Sequence, residues 1–176
     1  MIRIFLLGFM GTGKTTLGRA LALDMNLSFC DLDQYIEQRY MKRISQIFQD
    51  KGESGFRMIE SRLLREVGEF EDVVISCGGS TPLFDGNIDY MNGQGQTIWL
   101  ETSEQVLFNR LKVARMARPL IAGKTDQELR QYIAQELARR VPYYEKAQYR
   151  YSGDRLESVE QVAQSVQGVR SLLGIN

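Results

Sequence analysis

The chain has 176 residues, 43% hydrophobic and 25% charged, which is enough apolar material for one substantial core and is read as a single domain over residues 1–176. Lys plus Arg (22) balances Asp plus Glu (22), so composition excludes a general affinity for nucleic acid or anionic membrane, and any basic site must be local. Histidine is absent, which removes Ser–His and Cys–His nucleophile pairs, histidine metal ligands and an imidazole base, leaving a carboxylate to accept any substrate proton.

Residues 2–7 are an apolar run too short to span a bilayer or act as a signal core, and no run of about 18 or more apolar residues follows, so a cytoplasmic protein is expected. Next comes Gly8-Phe9-Met10-Gly11-Thr12-Gly13-Lys14-Thr15, which fits GxxxxGK[ST] in the strand, loop, helix context that a phosphate-binding loop requires. Glycines let successive backbone N–H groups turn toward phosphate oxygens, and the positive end of the new helix adds to the attraction. Lys14 is placed to reach the β- and γ-phosphates and the Thr15 hydroxyl to ligate Mg²⁺. Gly11, Thr12, Gly13 and Thr16 complete the expected ATP-binding set.

A helix is predicted over 14–26, then a short strand over 27–30 that ends at Asp31-Leu32-Asp33. Helical pieces follow at 34–39, 44–51 and 53–68; in the last, Phe56, Ile59, Leu63, Leu64 and Val67 mark the buried face, with Arg57, Glu60 and Arg62 off it. Residues 73–77 are the most strand-like run and stop at Gly78-Gly79. A strand over 97–100, a helix over 103–112, a segment 113–124 bearing Arg115, Arg118, Pro119 and Gly123, a helix over 126–144, a short strand at 149–151 and a helix over 158–173 complete the chain. The alternation predicts a parallel α/β sheet of about five strands covered by helices. Cys30 and Cys77 are expected to be buried free thiols.

A phosphate loop serves GTPases, ATPases and small-molecule kinases alike. No Asn-Lys-x-Asp guanine signature occurs, and the strand at 73–77 ends in Ser76 and Cys77 rather than a Mg²⁺-directed Asp. The carboxylates instead close the second strand, where ligands of doubly wound sheets sit. Two residues apart in extended backbone, Asp31 and Asp33 face the same way: Asp31 toward Mg²⁺ through water, Asp33 toward a substrate hydroxyl. N-capping of the next helix is the alternative role for Asp33.

Asp31-Leu32-Asp33, Gly52-Glu53-Ser54-Gly55-Phe56-Arg57 with Glu60, Gly78-Gly79, Arg118-Pro119-Leu120 and Arg140-Val141-Pro142-Tyr143-Tyr144, in this order after the phosphate loop, closely resemble the shikimate kinases over residues 2–151. The resemblance implies ATP-dependent, Mg²⁺-assisted phosphorylation of the 3-hydroxyl of shikimate, on the route to chorismate and the aromatic amino acids. It also implies a P-loop NTPase fold like that of nucleoside-monophosphate kinases: three α/β/α layers, a five-stranded parallel sheet, a substrate-binding region at about 33–62 and a mobile lid at about 113–124. By matching motif, Asp33 contacts shikimate hydroxyls, Arg57 and Arg140 hold its carboxylate, Gly78 and Gly79 approach its ring, Arg118 reaches ATP phosphates and Arg110 lies beside adenine. Lys14, Asp33 and Arg118 form the implied catalytic group.

Residue chemistry agrees, since a carboxylate with several hydroxyls needs planar Arg donors at one end and acceptors at the other. Glu53, Glu60 and Glu136 also stand at helical pairing distance from these arginines, and Arg115 reads as a solvated lid charge. Where the family carries a third glycine this chain has Ser80, tolerable if its backbone angle is ordinary. A kinase acting on gluconate or a nucleoside monophosphate, and an ATP-binding module without catalysis, are the competing readings. A monomer is expected, as no heptad pattern or long apolar edge is visible.

Overall fold

The computed structural model describes residues 1–175. Strands β1 (Arg3–Leu7), β2 (Ser28–Asp31), β3 (Val73–Ser76), β4 (Gln96–Glu101) and β5 (Tyr149–Ser152) form one sheet in the order β2-β3-β1-β4-β5, every neighbouring pair parallel. Each lies on one of the expected runs. Side chains alternate across the sheet, so a central strand serves two cores. Phe5 and Leu7 of β1 and Val73 and Ile75 of β3 point to one face, while Ile4, Leu6 and Val74 point to the other.

The first face is covered by α2 (Leu32–Tyr40), α3 (Ile44–Val67) and α4 (Asn87–Gln94), the second by α1 (Lys14–Asp24) and α7 (Val159–Leu172). A third apolar cluster gathers Phe9 with Leu107, Phe108 and Leu111 of α5 (Glu104–Ala114), Leu129 and Ile133 of α6 (Asp126–Tyr144), and Ile121 from the connection between them. Among the described residues no helix is long and apolar enough to cross a membrane.

Two local readings are corrected and a third holds. The helical pieces at 44–51 and 53–68 are two helices that meet at a kink at Gly52, whose φ of 68° and ψ of −178° are not helical; α3 denotes the pair. Helix α4 was not foreseen; at eight residues, with three Asn or Gly, it is too short and too weak in propensity for periodicity to reveal. Asp33 does not end a strand but sits in the first turn of α2, and the N-cap is Asp31, which accepts from the Gln34 N–H at 3.2 Å.

Candidate active site

The carboxyl ends of β1, β2 and β3 open into a cleft of about 370 Å³ whose walls include Gly11, Gly13, Lys14, Thr15, Thr16, Asp31, Asp33, Gly78, Gly79, Arg110 and Arg118. Gly13 starts α1 with φ of 93°, a left-handed angle that a side chain would strain. Thr12 lies beneath the loop rather than in the wall; it is buried and its hydroxyl donates to the Phe9 carbonyl at 2.9 Å. The Lys14 ammonium donates to the carbonyls of Gly8 (2.8 Å) and Phe9 (2.9 Å). Burial lowers its pKa to about 8, with Asp33 acting in the opposite direction, so it stays charged at neutral pH.

Asp31 and Asp33 do reach one cleft, by a different route from an extended dipeptide: the first caps α2 and the second projects from its first turn. Thr15 Oγ1 donates to Asp31 Oδ2 at 3.2 Å, which brings together a hydroxyl and a carboxylate oxygen. Among the described residues no group of three or more carboxylates or thiols is placed to hold a metal ion by itself. That donor set suits Mg²⁺, which takes one or two protein oxygens and completes its shell with phosphates and water. The Asp33 carboxyl is pushed up to about 6, first by burial, then by the charges of Asp31 and Glu60.

Neither Arg57 nor Arg140 is in the cleft lining: Arg140 stands against Gly79, and Arg57 pairs with Glu60, which flanks Gly78. Glu60, expected to lie off the buried face of its helix, is in fact buried. It accepts from Arg57 Nη1 at 2.9 Å and from Thr81 Oγ1 at 2.7 Å. A Cβ on Gly78 would lie 3.0 Å from Thr81 Oγ1, 3.1 Å from Asp33 Oδ1 and 3.4 Å from Glu60 Oε1, so a side chain here would press on the polar groups that flank this backbone. The Arg57 guanidinium is sheathed by Phe84, Phe56 and Phe48 at 4.2, 5.2 and 5.9 Å from their ring centroids, and its Nε is buried with no hydrogen-bond partner. The helical pairings noted in the sequence are therefore real: Glu53 also approaches Arg57, at 3.7 Å.

Arg140 is equally paired, its Nε (3.1 Å) and Nη2 (2.6 Å) both donating to Glu136 Oε2. It is buried against the Phe9 ring, and its Nη1 lies 2.9 Å from where a Gly79 Cβ would sit. The Gly79 carbonyl accepts from the Tyr144 hydroxyl. Ser80, at φ −102° and ψ −6°, has an ordinary backbone angle, so the side chain in place of a third glycine introduces no strain.

The remaining arginines divide by role. Arg118 reaches the cleft, close enough that its charge helps to lower the Lys14 pKa. Arg110 donates to the carbonyls of Gly11 (3.1 Å), Thr12 (3.3 Å) and Gly153 (2.8 Å) and pairs with Glu157 at 2.6 Å, tying the phosphate loop to the turn after β5. Arg115 is not a solvated charge. It donates to the Lys124 carbonyl and to Asp126, each at 2.5 Å, and so braces the two ends of the segment over the cleft. Ile121, fully buried, pegs that segment into the third apolar cluster. Glu60, Tyr144 and Ile121 are the site-supporting residues that sequence reasoning did not assign. Glu60 and Tyr144 stood in the motifs that carry the family resemblance but with no role assigned, and Ile121 gave no signal.

The arrangement joins a phosphate cradle to a pocket edge with acidic acceptors and buried guanidinium donors, as transfer of a phosphoryl group to a hydroxylated acid demands. The sequence matches the shikimate kinase family over residues 10–169. A shikimate kinase of Bacteroides fragilis is 51% identical over 176 residues, which is 100% of this chain and 98% of that protein. The crystal structure of a shikimate kinase from Bacteroides thetaiotaomicron superposes with a TM-score of 0.96 at 48% identity, covering 99% of both chains. A shikimate kinase from Acinetobacter baumannii, solved in complex with shikimate, superposes at 0.84 with 28% identity, covering 99% of this chain and 94% of that one.

Proposed function

The chain belongs to the shikimate kinase family, and from that premise we propose that it transfers the γ-phosphoryl group of ATP to the 3-hydroxyl of shikimate, a step toward chorismate and the aromatic amino acids. The observation that carries the choice of acceptor is Arg57 Nε, a buried donor without a protein partner. Such a group is costly to leave unmet, and a ligand carboxylate reaching Arg57 and Arg140 meets it.

In this reading Asp33 accepts the hydroxyl proton as the hydroxyl oxygen bonds to the γ-phosphorus; the bond from that phosphorus to its bridging oxygen breaks and ADP departs. Lys14 and Arg118 offset the charge that gathers on the transferring group. Mg²⁺, held by Thr15 and, through water, by Asp31, supplies further neutralisation when bound. Gly11, Gly13 and Thr16 take the remaining phosphate oxygens, and Arg110 borders the adenine side. Residues 113–124 act as a lid that keeps water from the γ-phosphoryl group. The same reading takes residues 1–176 as one domain, working as a monomer in the cytoplasm on small molecules only.

The test is ADP release from Mg·ATP measured with shikimate, with gluconate, with a nucleoside monophosphate, and with no acceptor. Saturable release with shikimate alone is expected. Turnover of another acceptor but not shikimate, or nucleotide binding without turnover of any, would overturn the proposal.

A further inference from the structure

The wall of the cleft beside the Arg140 guanidinium is made of consecutive glycines, the least constrained backbone available. Gly78 and Gly79 nevertheless need one fixed orientation if they are to meet a ligand. The Gly78 carbonyl accepts from the Thr81 N–H at 3.1 Å, which sets the first peptide. Among the described residues, neither the Gly79 nor the Ser80 N–H donates to a protein group.

The second peptide, between Gly79 and Ser80, is held from outside the turn. Helix α6 places Glu136, Arg140 and Tyr144 four residues apart, on one stripe. Glu136 fixes the Arg140 guanidinium, whose Nη1 packs against Gly79, and one turn later the Tyr144 hydroxyl donates to the Gly79 carbonyl at 2.5 Å. Tyr144 is fully buried and tilts against Trp99, ring centroids 5.9 Å apart, so its ring has no freedom to follow a moving partner. In a trans peptide the N–H points opposite to the C=O, so a carbonyl anchored on Tyr144 turns the Ser80 N–H away from α6.

We propose that Tyr144 is a positioning residue for acceptor recognition: by holding the Gly79 carbonyl it fixes the Gly79–Ser80 peptide at a set distance from Arg140, so that backbone donors and guanidinium present one rigid surface to the acceptor. This rests on the acceptor being shikimate. Burial raises the Tyr144 pKa to about 12, so the phenol remains a donor throughout the working range.

Tyr144→Phe keeps the ring and its contact with Trp99 and deletes the hydroxyl, both as donor to the Gly79 carbonyl and as a neighbour of the Arg140 guanidinium. The expected result is a KM for shikimate about five- to tenfold higher, the size of one lost hydrogen bond, with the KM for ATP and kcat at saturating shikimate within about twofold. Isothermal titration calorimetry with shikimate and no nucleotide should give a dissociation constant raised by the same factor. Incorporating p-aminophenylalanine at position 144, which restores an N–H donor on the same ring, should return both values toward wild type. A lower melting temperature with an unchanged KM for shikimate would overturn the proposal, as would equal effects on both substrates. If the wild-type protein itself neither binds nor phosphorylates shikimate, the assigned function falls and this inference falls with it.

Discussion

Asp33→Asn separates what this carboxylate does for chemistry from what it costs the fold. Its pKa of about 6, against an ordinary 3.8, arises first from burial, then from Asp31 and Glu60, with Lys14 opposing and Glu37 adding a little. The folded state binds this proton more tightly than the unfolded chain, so the contribution favours folding fully below pH 3.8 and is lost as pH rises through about 6. Asparagine carries no such penalty. Relative to wild type, the variant should gain about 3 kcal/mol at pH 8 and about half that at pH 5. The change between the two pH values, on the order of 1 kcal/mol, is insensitive to any fixed loss from altered hydrogen bonding and amounts to roughly 2–4 °C in Tm for a chain of this size. Thermal unfolding of the nucleotide-free proteins at both pH values measures it, while turnover of the variant should nearly vanish. A stability gap that stays constant or narrows from pH 5 to pH 8 would refute the electrostatic reasoning. Near-normal turnover would remove Asp33 from the mechanism.

Other substitutions probe the remaining parts. Arg140→Ala should raise the KM for shikimate about 10- to 100-fold, the loss of a charge-assisted contact, and leave that for ATP within about twofold; steady-state kinetics decides, and equal effects would argue against a carboxylate contact. Gly79→Ala would bring a Cβ to 2.9 Å from Arg140 Nη1 and 3.5 Å from the Gly8 carbonyl, so the same KM should rise with little change in melting temperature. Ile121→Ala removes the peg of the segment over the cleft. Under the proposed lid role that segment would lift without unfolding the rest, so the loss of global stability should fall short of the roughly 2–5 kcal/mol of a core truncation, while kcat drops and proteolysis within 115–124 accelerates. A full core-sized loss with unchanged protease sensitivity would contradict this.

The phosphate loop was legible because its chemistry is local: Gly8 to Thr15 determine loop, helix start and ammonium together. The three central strands were legible because in a sheet covered on both faces each is a largely apolar run, such as Val73-Val74-Ile75. Side-chain partnerships across sequence were not. Periodicity put Glu60 off the buried face, and only the fold, by setting Thr81 and Arg57 against it, makes its burial affordable. Arg115 read as solvated because nothing in its own neighbourhood announces Asp126, eleven residues on, as its partner. Tyr144 meets Gly79 across 65 residues, a separation that no local pattern can carry.

The Lys14 ammonium has three donors, and two of them are already engaged by the Gly8 and Phe9 carbonyls before any nucleotide arrives. A lysine side chain ordered from a free state loses up to about 2 kcal/mol of rotamer entropy. Here that loss is incurred when the protein folds, not when a phosphate binds, and the third N–H is left as a preset donor. Under the proposed function the consequence is kinetic as well as energetic: an incoming triphosphate would meet a charge that needs no search, which favours association rate as well as residence time.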